Sequence, residues 1–278
     1  MSNSKVGFIG GGNMTRAIAT GLLQSGFDVG NLLISDPLEE QRERLADEFK
    51  GALLSGSNDS VVRDAACVVL ATKPQVLPEV CRELAEAAQE SRPLFVSIAA
   101  GIRCADIEDW LGGDLAIIRV MPNQPALIRR GVSGIYANQR ANTDDLARAS
   151  RIMAAVGAVV PVDREEDIDT VTAVSGSGPA YFFLLIEMLA AAGEELGLSA
   201  SAASSLAIQT AVGAAELAAQ ADEPMQTLIA RVRSPGGTTA AALDKLEEDD
   251  IRAIFQRAII AARNRAIELA DAAHDNQD

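Results

Sequence analysis

Aromatic residues and histidine are scarce in this chain of 278 residues. It contains 7 Phe, 2 Tyr and 1 Trp, and its one histidine, His274, lies close to the C-terminus. The formal net charge is −15. A nucleic-acid-binding surface needs clustered Lys and Arg and aromatic rings on which bases stack, so this composition argues against a nucleic-acid partner. The position of His274 likewise argues against catalysis by histidine.

Long hydrophobic runs and paired cysteines are also lacking. No run approaches the roughly 20 apolar residues of a membrane-spanning helix, and residues 1–5 are too polar for a signal peptide. Cys67, Cys81 and Cys104 are odd in number and lack metal-ligand spacing, so we interpret them as structural thiols and expect no metal site. We therefore expect a cytoplasmic protein that has no membrane partner.

Hydrophobic periodicity divides the chain into two parts of different structure. In residues 1–163, short apolar runs alternate with helical segments, the pattern of a parallel sheet covered on both faces. The charged stretch 163–167 marks the boundary, and residues 164–278 are Ala-rich and predict helices only. The expected strands are 6–10, 32–35, 68–71, 94–98, 117–121, 132–136 and 158–162.

The predicted helices of the second part are too apolar for one helical layer. We expect one helix from about Pro179 to Gly197, a second to about Gln220, and a third that Pro224 opens. Apolar residues cover much of their circumference, so a partner surface is needed to bury them. This predicts a homodimer formed through residues 164–278.

A glycine-rich turn follows the first strand. The apolar run 6–10 leads directly into Gly10-Gly11-Gly12-Asn13-Met14-Thr15, and a helical segment continues from it. Strand, glycine turn and helix in this order predict a loop that binds the pyrophosphate of a dinucleotide. Thr15 stands where glycine or alanine usually allows close packing. The alternative is a strand-to-helix loop without a ligand.

Asp36 ends the second predicted strand. An acid there can accept a hydrogen bond from the adenosine ribose 2′-hydroxyl, which favours NAD over NADP. Equally, Asp36 can cap the helix that begins beyond Pro37. The nearest cations, Arg42 and Arg44, lie one or two turns into that helix.

A second anion-seeking loop lies far along the chain. Ser234-Pro235-Gly236-Gly237-Thr238-Thr239 interrupts the helical half, and glycines and hydroxyls at a helix start attract a phosphate or carboxylate. We interpret this loop as a site for a small acid, although a plain helix connector is possible. Ser175-Gly176-Ser177-Gly178-Pro179 similarly reads either as a ligand segment or as an ordinary helix cap.

The residues that could act in catalysis favour reduction of a C=N bond. Only Lys73, after a buried strand, is placed at the carboxyl edge of the sheet; Lys245 lies in polar surroundings, and we expect no lysine in the helices after Gly176. Oxidation of an alcohol needs such a base. An imine is basic enough to be partly protonated near neutrality, so a positioned hydroxyl suffices.

Six segments together resemble pyrroline-5-carboxylate reductases in order and spacing. Two of them, around Met121-Pro122-Asn123 and Ser234-Pro235-Gly236-Gly237, are quite specific, whereas the glycine fingerprint alone is not. The chain departs from the family pattern at Thr15 and at Gln124, where threonine is usual. The matching segments are 7–14, 71–74, 97–101, 119–126, 174–181 and 234–239.

This resemblance implies an α/β Rossmann-type N-terminal domain followed by an all-α C-terminal dimerisation domain. It implies reduction of 1-pyrroline-5-carboxylate to L-proline, the last step of proline biosynthesis, by a homodimer or a larger ring such as a decamer built of dimers. It places the substrate carboxylate on Ser234 and on the N–H groups of Gly237, Thr238 and Thr239, and pairs the Thr239 hydroxyl with the ring nitrogen as the catalytic group.

The resemblance and the fingerprint together define the cofactor residues. Asn58 is expected at the adenosine ribose, and the other residues follow the nucleotide along the sheet edge to the nicotinamide. The full set is Gly10, Gly12, Asn13, Met14, Ser35, Asp36, Asn58, Ala71, Lys73, Pro74, Ala99, Ala100, Met121, Pro122 and Asn123.

The sequence leaves the cofactor and two other functions open. We expect NADPH (NADP) as the cofactor with appreciable NADH (NAD) activity, because family habit favours NADPH while Asp36 repels a 2′-phosphate. The alternatives are another NAD(P)-dependent imine reductase or β-hydroxyacid dehydrogenase, and a non-catalytic nucleotide-binding protein. The second loop counts against the last of these.

Overall fold

The computed structural model describes residues 4–275, and the side chains of residues 4–273. It divides into two compact units. The first extends to Gly176 and includes the chain again from Ala262; the second comprises Ser177–Ala261. The sequence-based boundary at 163/164 lies within the first unit.

The first unit contains one sheet of eight strands. The strand order is β3-β2-β1-β4-β5-β6-β7-β8, and every neighbouring pair is parallel except β6 and β7. This confirms the α/β prediction for the N-terminal part. The strands are β1 Val6–Ile9, β2 Leu32–Ser35, β3 Leu53–Ser55, β4 Cys67–Leu70, β5 Leu94–Ser97, β6 Ile117–Met121, β7 Gly131–Ala137 and β8 Gly157–Pro161.

Helices cover both faces of the central strands, which accounts for the continuous apolar runs. Phe8 of β1 packs into one core and Ile9 into the other, because successive side chains of a strand point to opposite faces. The helices of this unit are α1 Asn13–Gln24, α2 Glu39–Glu48, α3 Asn58–Asp64, α4 Leu77–Glu83, α5 Ala85–Ser91, α6 Cys104–Trp110, α7 Thr143–Ala154 and α8 Asp167–Val171.

The expectation of a wholly parallel sheet is wrong at one position. β7 runs antiparallel to β6, with Val120 opposite Ile135. The connection between them contains only the 3₁₀ segment Gln124–Ile128, which is too short for the crossover that a parallel neighbour requires. The short strand β3 was not predicted.

The second unit is helical, as predicted. Ser199 caps α10 by accepting a hydrogen bond from the Ala202 N–H, and Gly197 before it has a φ of 98°. The helices are α9 Gly178–Glu195, α10 Ala200–Gln220, α11 Met225–Val232, α12 Thr238–Glu248 and α13 Ile251–Asp275, the last of which continues into the first unit. A short α-helix and a π-helical turn, Thr172–Gly176, precede α9.

The helices of the second unit expose many large apolar side chains. Phe182 and Phe183 on α9 are 62% and 60% exposed. The stretch Asp167–Glu195 is also long and apolar enough to cross a bilayer by length and composition, with a mean hydropathy of 1.3 in its most apolar window, of which 11% is buried. These side chains therefore need cover that the isolated chain does not supply.

Candidate active site

The glycine loop between β1 and α1 is tightly packed on its inner side and open on its outer side. Gly10 has a φ of 98°, and a β-carbon there would lie 3.0 Å from the carbonyl oxygen of Ala71. A β-carbon on Gly11 would lie 2.5 Å from Leu45 Cδ1. By contrast, no heavy atom lies within 4 Å of a β-carbon built on Gly12. The loop thus leaves room for a ligand at Gly12.

Thr15 is accommodated where a smaller residue was expected. Its side chain is fully buried, and its hydroxyl donates a hydrogen bond of 2.6 Å to the carbonyl oxygen of Gly10. This bond closes the glycine turn from within α1. Threonine at this position is therefore compatible with close packing of α1.

The N-terminus of α1 presents free backbone donors. Gly12 is its N-cap residue, and no side chain in the described part of the chain caps it. The first N–H groups of a helix have no partner within the helix, and the helix dipole makes this end positive. The loop and helix start therefore fit a pyrophosphate, with Asn13 and Met14 in the first turn.

Asp36 holds the glycine loop to the chain beyond β2. One carboxylate oxygen accepts from the Gly11 N–H at 2.9 Å, and the other accepts from the Leu38 N–H at 3.0 Å. The turn-capping role is thus present in the structure. Each carboxylate oxygen has a further lone pair, so a ribose hydroxyl can still donate to it.

Ser35 and Asn58 meet beside Asp36. The Ser35 hydroxyl donates to Asn58 Oδ1 at 2.7 Å, which joins the end of β2 to the start of α3. With its oxygen engaged by Ser35, the Asn58 side chain retains its N–H₂ group as a donor. This is the group that a ribose oxygen would need.

The segment after β4 carries a buried polar atom without a partner. The hydroxyl oxygen of Thr72 is buried and has no hydrogen-bond partner among the described residues. It lies between Ala71, which is half-buried, and Lys73, which is exposed; Pro74 follows. Buried hydroxyls are normally hydrogen-bonded, so this orphan fits a ligand atom at the same sheet edge. Sequence reasoning missed Thr72, although it stands inside the segment that it singled out.

The ends of β5 and β6 complete this edge. Ala99 is buried and its N–H donates to Ser97 Oγ at 3.4 Å, while Ala100 is exposed. Met121 is half-buried, and a β-carbon on Gly176 would lie 2.7 Å from its Cε. Pro122 is buried. The structure therefore gathers all the predicted cofactor residues at the carboxyl ends of β1, β2, β4, β5 and β6 and at the start of α3.

Both the oxygen and the nitrogen of the Asn123 side-chain amide form hydrogen bonds. Its Oδ1 accepts from the Val132 N–H at 2.9 Å, and its Nδ2 donates to the carbonyl oxygen of Ser175 at 3.2 Å. These bonds connect the end of β6 with β7 and the π-helical turn. A structural role for Asn123 is therefore evident in the geometry.

A buried ion cluster behind this edge was not foreseen. Arg119 on β6 is 2% exposed and pairs with Glu165 at 3.1 Å and with Asp169 at 3.3 Å. Glu165 also accepts from the Cys104 N–H at 2.7 Å. Burial and the adjacent Glu165 raise the pKa of the Cys104 thiol well above its usual value. In the sequence, the sign of such a cluster was Arg119, a charged residue inside the predicted strand 117–121.

The second loop lies in the other unit and also ends at an uncapped helix. Gly236 has a φ of 68°, and the Gly237 N–H donates to the Ser234 carbonyl at 3.0 Å, forming a turn that leads into α12. No side chain of the described residues caps α12, and its first turn contains no acid. Ser234 and Thr238 are exposed and Thr239 is half-exposed. This arrangement suits a small carboxylate.

Other titratable groups of the helical half are differently placed. Lys245 does lie in a helix after Gly176, namely α12, but its ammonium pairs with Glu248 at 3.1 Å and Asp249 at 3.0 Å. The side chain of His274 lies outside the described residues.

Comparison with known proteins shows a relationship along nearly the entire chain. The family model for pyrroline-5-carboxylate reductase dimerisation matches residues 165–269, and a model for NADP oxidoreductase, coenzyme F420-dependent, matches residues 5–101. The dimerisation match contains the entire apolar stretch 167–195, which accounts for its exposed side chains as a self-association surface.

Full-length relatives agree with both matches. A pyrroline-5-carboxylate reductase of Pseudomonas aeruginosa is 45% identical over 271 residues, which cover 98% of each chain. The structure of such an enzyme from Coxiella burnetii has a TM-score of 0.93 at 39% identity and covers 97% of this chain and 99% of that one. A Plasmodium falciparum pyrroline carboxylate reductase with NADP bound has a TM-score of 0.83 at 30% identity, covering 97% and 99%. The chain belongs to the pyrroline-5-carboxylate reductase family of oxidoreductases.

Proposed function

We propose that this chain reduces 1-pyrroline-5-carboxylate to L-proline with a hydride from NAD(P)H. The observation that carries the proposal is that the helix start at Gly237, like the one at Gly12, has a glycine as its N-cap residue, no side-chain cap and no acid in its first turn. A dinucleotide and a small carboxylate need one such site each. Membership of the family names the carboxylate.

The cofactor is NADPH, with appreciable use of NADH. Gly10, Gly12, Asn13 and Met14 hold the pyrophosphate, and Ser35, Asp36 and Asn58 surround the adenosine ribose. The nicotinamide end follows the remaining predicted residues, Ala71, Lys73, Pro74, Ala99, Ala100, Met121, Pro122 and Asn123. The bound nicotinamide supplies the hydride, and the protein supplies position and charge.

The substrate carboxylate binds at the start of α12. Ser234 donates its hydroxyl, and Thr238 and Thr239 donate backbone N–H groups. The Gly237 N–H, which closes the turn on the Ser234 carbonyl at 3.0 Å, is shared between that carbonyl and the substrate. The helix dipole favours a negative charge at this end. The first turn of α12 contains no acidic residue that would repel the carboxylate.

Thr239 acts on the ring nitrogen of the imine. A hydroxyl can donate to the nitrogen and accept from its protonated form, so it orients the imine while the hydride arrives. The lysine of α12, Lys245, forms ion pairs with Glu248 and Asp249. The hydroxyl is therefore the group that assists protonation, together with solvent.

Residues 164–278 form the dimerisation and substrate-binding domain of a homodimer. The exposed apolar side chains of α9 and α10 and the match to the dimerisation model support this division. We further propose assembly of dimers into a larger ring and a cytoplasmic location.

An absorbance assay tests the activity. Pyrroline-5-carboxylate is mixed with the protein and either NADPH or NADH, and loss of the reduced nicotinamide band is followed. We expect oxidation of both cofactors, with formation of proline, and a higher kcat/KM for NADPH. Absence of turnover with both, in protein that binds the nucleotides, contradicts the proposal.

A further inference from the structure

The side chain of Arg42 extends from α2 back to the end of β2. Its Nη1 donates to the carbonyl oxygens of Asp36 at 2.8 Å and Pro37 at 2.9 Å. A β-carbon on Gly56 would lie 3.5 Å from its Cζ. The guanidinium therefore lies between the loops that follow β2 and β3, although the backbone of Arg42 is inside the helix.

The contacts that hold Arg42 in place are with neutral backbone carbonyl groups. Among the described residues no carboxylate forms a salt bridge with it, although the chain is strongly acidic. Arg44, two residues further, pairs with Glu40 at 2.5 Å and is exposed. A guanidinium has five N–H donors, and the two carbonyl contacts of Arg42 use only its Nη1. The rest of the fork remains available to an anion.

The neighbouring acid does not prevent an anion from binding there. The Asp36 carboxylate accepts two backbone N–H groups, from Gly11 and Leu38, which disperse part of its charge. In a dinucleotide fold, the end of β2 is where the 2′-position of the adenosine ribose lies. A 2′-phosphate at this point would lie beside a guanidinium that is held in position and forms no salt bridge among the described residues. A guanidinium binds a phosphate through two parallel N–H···O hydrogen bonds.

We propose that Arg42 binds the 2′-phosphate of NADPH and thereby favours NADPH over NADH in this chain. The inference rests on the proposed nicotinamide cofactor and adds the residue that discriminates its two forms. Asp36 then holds the glycine loop in place. The adjacent Arg42 supplies the positive charge that allows a phosphate to bind close to this acid.

Binding of 2′,5′-ADP and 5′-AMP, measured by calorimetry, tests the proposal without catalysis. The first ligand carries the 2′-phosphate and the second lacks it. We expect Arg42→Gln to weaken 2′,5′-ADP binding by about 10- to 100-fold, the range of a hydrogen bond to a charged group, and to change 5′-AMP binding by less than about 2-fold. Arg42→Lys should recover part of the loss, because it restores the charge without the fork.

Arg44→Gln is the matched control, since it removes a nearby cation that is paired and exposed. It should leave both affinities unchanged, and thermal unfolding should show that all variants are folded. Equal weakening of both ligands by Arg42→Gln, or no weakening of either, overturns the proposal and leaves Arg42 as a brace of the β2 loop. Tight 2′,5′-ADP binding by wild-type protein that does not reduce pyrroline-5-carboxylate would instead contradict the proposed function alone.

Discussion

Thr239 stands in the first turn of α12, and we propose different roles for its hydroxyl and its N–H group. We predict that Thr239→Ala keeps the fold and the cofactor affinity and lowers kcat by about 10²-fold, the low end of general acid catalysis, because solvent can partly replace the hydroxyl. Steady-state kinetics and nucleotide binding measure both effects. A kcat close to wild type would limit the loop to binding the carboxylate. Thr238→Ala, next to it, is the control for loss of a hydroxyl at this helix start.

Ser234 should affect a different kinetic constant. Its hydroxyl is proposed to contact the carboxylate in both the ground state and the transition state, and uniform binding of this kind changes KM. We predict that Ser234→Ala raises the KM for pyrroline-5-carboxylate by about 10-fold, equivalent to roughly 1.4 kcal/mol, with little change in kcat. A fall in kcat with an unchanged KM would contradict this assignment.

Asp36 next to the 2′-position should disfavour the phosphate by charge repulsion. We predict that Asp36→Ser shifts the ratio of kcat/KM for NADPH over NADH by about 10-fold toward NADPH, the size of one hydrogen bond lost and one repulsion removed. Steady-state kinetics with both cofactors give the ratio. An unchanged ratio would show that Asp36 does not read the ribose.

Asp28→Ser is a suitable control for this variant. Asp28 accepts from the Gly30 N–H at 3.0 Å in a similar turn, but in the loop before β2 rather than at its end. It should therefore change stability by a similar amount and leave the cofactor ratio as it is.

At the scale of elements, Arg119 joins β6 to the segment around α8. We predict that Arg119→Met lowers the free energy of unfolding by about 3–5 kcal/mol, because it leaves the buried carboxylate of Asp169 and the partly buried carboxylate of Glu165 without a counter-ion. Urea unfolding can be followed by the fluorescence of Trp110, which is the one tryptophan of the chain and is buried in the same unit.

The control is Arg140→Met. Arg140 also pairs with two carboxylates, of Glu108 and Asp114, but its side chain is 56% exposed. Exposed pairs contribute about 1 kcal/mol or less. Similar losses in the two variants would refute the prediction for Arg119.

The elements that sequence could predict are those with a strong local signal. Apolar runs such as 68–71 predicted the central strands, and Ser199 predicted the start of α10. β3 escaped because its three residues carry too little pattern, and the direction of β7 escaped because hydrophobicity does not encode direction. Glu165 and Asp169 reach Arg119 only through the fold, and Arg42 reaches the end of β2 only through its rotamer. The carboxyl edge of the sheet was predictable, and so was the presence of Asp36 and Arg42 near it, whereas the partners of their side chains were not.

At the scale of the molecule, the exposed apolar residues of α9 should lie in the homodimer interface. We predict that wild-type protein sediments as a dimer or larger species at micromolar concentration, and that Phe182→Glu combined with Phe183→Glu shifts it toward monomer. Burying two carboxylates in an apolar interface opposes association. A wild-type monomer would contradict the proposed assembly.

Ile128→Glu is the matched control for that variant. Ile128 is also exposed and apolar, but it lies in the first unit, outside the dimerisation match at 165–269. It should leave the sedimentation coefficient unchanged. Dissociation by this control alone would place the interface elsewhere.

The three cysteines offer a built-in reporter of one half of the molecule. All three are buried in the first unit, and burial raises the pKa of both Cys67 and Cys81 to about 12, so almost no thiolate exists at neutral pH. An alkylating reagent therefore reacts only when the sheet region opens. The second unit, which carries no cysteine, is silent to such a reagent. Timed alkylation thus measures how often the first unit opens, separately from the helices of the second unit.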